Sequence, residues 1–73
     1  MAGKKSGGVY RVTQVIGTST TSWEDAAKTA VETAAKTLRD LRVAEVDKLD
    51  VKVENGKIVA YRARLALSFK YEA

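Results

Sequence analysis

The chain has 73 residues and contains neither cysteine nor histidine. Disulfides and the common Cys/His zinc sites are therefore excluded, and no thiol exists from which to judge redox compartment. Without these side chains, nucleophiles and general bases are limited to Ser/Thr, Lys, Tyr and carboxylates. No arrangement of them here is diagnostic, so an enzyme is the weakest class to argue for. Nor does any apolar run approach the ~20 residues needed to cross a bilayer. A chain this short has a core that is only marginally stabilising. With disulfides and Cys/His metal sites gone, the reinforcement left to it is oligomerisation, aided by a hard cation on carboxylates.

The opening residues MAGKKSGG are basic, but no apolar stretch follows them, so they do not read as a signal peptide. Residues 1–8 are expected to be a flexible tail or an appended remnant, and 9–73 a single domain of a soluble, cytoplasmic protein. The formal charge is +4, but Lys4 and Lys5 lie in the tail and the remaining basic residues are spread over every element. Acidic residues are interleaved with them, and no basic stripe with interleaved aromatics emerges. Neither nucleic acid nor membrane is an expected partner.

Val9 to Ile16 alternates as a strand, with Tyr10, Val12 and Ile16 on one side and Val9, Arg11, Thr13 and Val15 on the other. Gly17-Thr18-Ser19 is expected to break it. Thr21 with Glu24 fits a capping box, and Ser22 with Asp25 is an equally good frame. The spacing of Trp23, Ala27, Ala30, Ala34, Leu38 and Leu41 then predicts one amphipathic helix over 22–41 with a narrow, alanine-rich apolar stripe. Glu32 and Lys36, on the outer side, have favourable i,i+4 spacing.

Residues 43–54 and 57–71 read as two long strands joined at Asn55-Gly56, a dipeptide suited to the positive φ angles of a type I′ turn. Counting back from that turn sets Val53 opposite Ile58 and Asp47 opposite Arg64. One face then carries Ala44, Val46, Ala63, Leu65, Leu67 and Phe69, and is assigned to the helix. The other is half apolar and half charged, with Asp47 and Arg64 as a cross-strand ion pair. The apolar phase of the first strand slips from Ala44 and Val46 to Leu49, Val51 and Val53. A bend or bulge near Asp47-Lys48 accounts for the slip. A single helix covers one face of one small sheet, so the leftover apolar surface is expected to be buried against further copies of the chain.

Several segments, in this order, resemble the dodecin family. They are Val9-Tyr10-Arg11-Val12, Val15-Ile16-Gly17-Thr18-Ser19, Ser22-Trp23-Glu24-Asp25-Ala26 and Lys36-Thr37-Leu38-Arg39. Glu45-Val46, Glu54-Asn55-Gly56-Lys57-Ile58-Val59-Ala60-Tyr61 and Ser68-Phe69 complete the match. The similarity runs from about Val9 to Tyr71. It implies an α+β fold of order β-α-β-β, with a three-stranded antiparallel sheet wrapped around one helix. It also implies a hollow homododecamer with helices outside and sheets inside. Typical dodecins store or buffer flavin, stacking pairs of isoalloxazine rings near two-fold axes, and are not catalysts.

The resemblance fails at the flavin pocket. The family's stacking tryptophan falls two residues before the Glu-Val pair, where this chain has Val43. The glutamine that bonds the ring edge follows the tyrosine of the last strand, where this chain has Arg62. Valine offers no π-face, and stacking on an aromatic contributes on the order of 1–3 kcal/mol. Arginine is a donor only and cannot reproduce the donor and acceptor of an amide. Trp23, Tyr10, Tyr61, Phe69 and Tyr71 suit packing roles, so binding of FMN, riboflavin or FAD is expected to be lost or weak.

The chain thus resembles the flavin-free, calcium-binding branch of the family. Glu45, Asp47 and Asp50 are the carboxylates nearest the vacated pocket, and Asp50 shares a face with the others only if the strand bends between them. Simple ion pairing, of Asp47 with Arg64 and of Glu45 with Arg62 or Lys70, is the competing role for two of them. No linear calcium loop is present. Three readings follow: a calcium- or cation-binding storage shell, a weak flavin-buffering dodecin, and a purely structural shell.

Overall fold

The computed structural model describes residues 8–70. The tail expected over 1–8 lies, Gly8 apart, outside the described residues, as does Tyr71 at the expected end of the last strand. Strand β1 (Tyr10–Ser19) leads into helix α1 (Trp23–Ala35), followed by strands β2 (Leu41–Glu54) and β3 (Lys57–Lys70). The sheet is antiparallel in the order β1-β3-β2, which makes β3 the central strand. This is the β-α-β-β arrangement that the sequence predicts. Among the described residues no helix is long and apolar enough to cross a membrane.

Two element boundaries differ from expectation. Gly17-Thr18-Ser19 continues β1 rather than ending it, and pairs with Ala63, Arg62 and Tyr61. The glycine is there because the helix presses on the strand. A Cβ at Gly17 would collide with the Ala26 carbonyl oxygen and come within 2.8 Å of the Ala30 Cβ. The helix, in turn, stops at Ala35 rather than Leu41. Asp40, with φ of 60°, redirects the chain into β2. Leu38 and Leu41 keep the helical spacing because both still pack on the core, Leu38 from the connection and Leu41 from β2. The helix starts in the second of the two capping frames, with the Ser22 Oγ accepting from the Asp25 N–H at 3.0 Å.

The core lies between α1 and the centre of the sheet. Ala63, Leu65, Leu67 and Phe69 of β3 are buried beneath Ala26 and Ala30 of the helix. Full burial of each large side chain contributes roughly 1.5–3 kcal/mol. Ala26, rather than Ala27, is the most deeply set helix residue, which rotates the contact stripe slightly from its expected centre. The helix leans on β1 and β3 and barely touches β2. Ala44 and Val46 therefore share the face of Leu67 and Leu65 but remain exposed. The expected Glu32–Lys36 ion pair is not among those formed by the described residues.

The hairpin turn has the expected geometry, with φ of 53° at Asn55 and 74° at Gly56. Its expected register holds at Val53 opposite Ile58 and again from Val46 opposite Leu65 to Val43 opposite Ser68, with a displacement of one residue between them. An extra residue, Val59, then enters β3, so that Lys52 faces Ala60 and Asp50 faces Arg62. The bulge expected near Asp47-Lys48 is present: Asp47 has no partner, and beyond it Val46 faces Leu65. Arg42 marks a third irregularity, between Leu41 and Val43. The bulge at Asp47 returns Leu49 and Val51, which pair with Ala63 and Tyr61, to the helix side of the sheet. They had been expected on the opposite face.

Candidate functional site

The sheet face turned away from α1 holds every position singled out for ligand binding except the bulged Asp47. Directly paired residues point to the same side, so Ala66, Arg64 and Arg62 of β3 share this open face with Glu45, Lys48 and Asp50 of β2. On the other flank they meet Gln14, Ile16 and Thr18 of β1. Val43, opposite Ser68, continues the row and is half exposed.

Asp50 and Arg62 make the best-defined polar contact of this face. The Arg62 Nε donates to Asp50 Oδ1 at 2.7 Å, and Nη2 donates to Oδ2 at 2.9 Å, a parallel fork. Hydrogen bonding from Arg62 holds the Asp50 carboxyl below its ordinary range, against an opposing desolvation effect, and the charges of Arg62 and Arg64 assist. The same fork raises the pKa of the guanidinium. Both side chains are substantially exposed, so the pair adds orientation more than stability. The expected partners were different. Asp47 was set against Arg64, and Glu45 against Arg62 or Lys70, but the extra residue at Val59 shifts Arg62 onto Asp50. Nothing in the alternation marks that shift, because Ile58-Val59-Ala60-Tyr61 is an unbroken apolar run.

Val43 and Arg62 are not brought together within one chain. Val43 lies opposite Ser68, six residues along β3 from Arg62, a separation of about 20 Å at the rise of a β-strand. A pocket using both must draw them from different copies. The three candidate carboxylates are also only partly gathered. The bulge at Asp47 lies between Glu45 and Asp50 and brings those two onto one face, as the bend condition required. Asp50 is committed to Arg62, while Glu45 and Asp47 are exposed and take part in no ion pair among the described residues. No group of three or more acidic side chains disposed to hold a metal occurs among the described residues of one chain.

Trp23 departs from the core role expected of it. Its ring remains partly exposed, meets Tyr61 edge-to-face at 5.2 Å, and donates its indole N–H to the Asp50 carbonyl oxygen at 3.0 Å. The first turn of the helix is thereby tied to the middle of β2. The open face is also more basic than the sequence suggests. Lys48, Lys52, Arg62, Arg64 and Lys70 share it with only Glu45 and Asp50, so basic residues outnumber acidic ones on this surface. The bulges hide this by breaking the alternation from which it would have been read.

The family model for dodecin matches residues 9–72. The chain is 47% identical over 62 residues to a protein of Mycobacterium tuberculosis named calcium dodecin, covering 85% of this chain and 87% of that one. The crystal structure of that organism's calcium dodecin, described as a calcium-chelating immunodominant antigen with a novel calcium-binding site, superposes with a TM-score of 0.77. There the identity is 49%, with 88% of this chain and 91% of that one covered. Dodecin from Streptomyces coelicolor superposes with a TM-score of 0.85 at 36% identity, covering 94% and 99% of the two chains. The fold, with its β-α-β-β order, is that of these solved structures. The chain belongs to the dodecin family, and its similarity extends to calcium dodecin.

Proposed function

We propose that this chain builds a non-catalytic, homododecameric shell that binds and stores a small cation, calcium by preference, and that the flavin site of the family is lost in it. The observation that carries the loss is the Asp50–Arg62 fork. The group at the ring-edge position is already engaged by a carboxylate, and Val43 presents no aromatic surface to stack on. Assembly is supported by the apolar surface that one chain leaves open. Val46 and Leu49 are about half exposed, and the hairpin beyond the Ser19–Tyr61 pair continues as a two-stranded ribbon bearing exposed Val53 and Ile58. A two-stranded ribbon is at best marginally stable alone, so contacts with other copies would supply what the single chain lacks.

For calcium, the donor chemistry fits but the number does not. A hard cation takes six to eight oxygens. One chain offers the free carboxylates of Glu45 and Asp47, with the backbone freed from the ladder at the Asp47 bulge. Coordination would be completed by water and by Glu45 and Asp47 of further copies, with Asp50 contributing only if Arg62 releases it. The reading is tested by melting the assembled protein with calcium chloride and again after chelator. Binding to the native state alone raises stability by about 2.7 kcal/mol at a hundredfold excess over Kd. A calcium-dependent rise that chelator reverses, and that Asp47→Asn diminishes, is expected. An unchanged melt, together with quenched flavin fluorescence on mixing, would favour the flavin-buffering alternative.

A further inference from the structure

Helix α1 rests on β1 and β3, and this placement leaves two surfaces on the helix side of the sheet without cover. One is on β2, where Val46 and Leu49 are each about half exposed. The other is a groove of about 270 Å³ at the far edge, between α1 and β1. Gly17, Ala30 and Ala34 line it together with Val15, Thr29 and Thr33. The two surfaces lie at the same level. Leu65 pairs with Val46 on one flank and with Val15 on the other, while Ala63 pairs with Leu49 and with Gly17. The groove thus repeats, along β1, the spacing at which β2 presents its two aliphatic side chains. Gly17 has no Cβ and the alanines only a methyl, so the groove has room where Val46 and Leu49 have bulk. Charge follows the same order. Lys48, beside Leu49, faces the like charge of Arg64, and through Arg64 it is level with Ile16, between Val15 and Gly17. Glu32 is exposed and is the i+3 neighbour of Thr29 on the helix surface. Neither Lys48 nor Glu32 has an ion-pair partner among the described residues. The irregularities at Arg42 and Asp47 make β2 a poor template for a further strand, so side-chain insertion, not an added ladder, is the contact open to it.

We infer that β2 of one copy seats Val46 and Leu49 in the α1–β1 groove of a second copy, with Lys48 meeting Glu32 across the contact. This contact rests on the assembly proposed above and gives it a direction: each copy inserts with one edge of its sheet and receives with the other. A head-to-tail contact of this kind closes into a ring or continues as a fibre, so a finite shell requires the ring. The uncovered strip of β2 is then the counterpart of the small residues opposite it, and the helix of one copy shields the strand its neighbour's helix does not reach.

The test is light scattering after size exclusion, on the full-length wild type beside Leu49→Asp, which spoils the inserting edge, and Thr33→Arg, which fills the groove. Both positions are exposed in the single chain, so far-ultraviolet circular dichroism should stay unchanged. Each variant alone should lose the full-size species. Leu49→Asp keeps an intact groove and Thr33→Arg an intact inserting edge, so an equimolar mixture should be heavier than either variant by itself. A charge swap gives a second, milder reading. Glu32→Lys and Lys48→Glu should each weaken assembly about two- to fivefold, as for an exposed ion pair, and the double variant should recover it. Full-size assemblies from both Leu49→Asp and Thr33→Arg, or a mixture no heavier than its components, overturn the contact. So does a double charge variant no better than the worse single one. A monomeric wild type overturns the assembly itself, and this contact with it.

Discussion

The two faces of β3 are built from one run of residues and do opposite work. Ala63, Leu65, Leu67 and Phe69 are all but inaccessible beneath the helix, while Arg62, Arg64, Ala66 and Ser68, alternating with them, stay partly open. On the closed face, side-chain volume decides the outcome, because the interior is packed and the helix backbone lies against Gly17. On the open face, volume matters little and charge register decides. A displacement of one residue in the ladder selects which carboxylate an arginine meets. The closed face is thus tied to the identity of its residues, and the open face to the irregularities of its strands.

Deleting volume from the closed face should do the most damage. Leu67→Ala is expected to cost about 2–5 kcal/mol, as for other buried leucines, which is enough to threaten folding of so small a chain. A urea titration followed by circular dichroism would register it, and an unshifted midpoint would mean that the core is not where the fold puts it. On the open face, Val43→Trp combined with Arg62→Gln supplies the aromatic plane and the amide proposed to be missing. Flavin affinity should rise by the equivalent of about 1–3 kcal/mol, read from quenching of riboflavin fluorescence. No gain would show that these two positions are not the ones that lost the ligand.

The smallest effect belongs to Asp50→Asn. The Asp50 pKa is lowered on folding, so its contribution is present above the unfolded aspartate value of about 3.9 and disappears as pH falls through the lower folded value. The wild type should therefore lose more thermal stability than the variant as pH is taken below about 4, and the two should differ little in slope near neutrality. Parallel acid profiles would break the link between the fork and the ionisation of Asp50.

Much of the fold was legible because the signals were local. Asn55-Gly56 announced the turn, Ser22 with Asp25 was one of two open capping frames, and the phase slip after Val46 revealed the bulge at Asp47. The misses arose where tertiary packing overrode local pattern. Gly17 looked like a break but is a point of close approach, and Leu38 and Leu41 kept a helical period after the helix had ended. The site was less readable than the fold. Val59 shifts the register inside an apolar run that has no alternation to disturb, and from that displacement follows the Asp50–Arg62 fork. The expected departures at Val43 and Arg62 rest on residue type alone, which needs no register to be read.

The bond from the Trp23 indole to the Asp50 carbonyl turns a structural tie into a built-in optical probe. Trp23 is the only indole in the chain, so the tryptophan emission comes from one ring, seated on the backbone of the residue whose carboxylate grips Arg62. Any event that moves this part of β2, whether release of Arg62 or contact with another copy, alters the polarity around that ring. The state of the open face can therefore be followed in solution by the colour of unlabelled protein fluorescence.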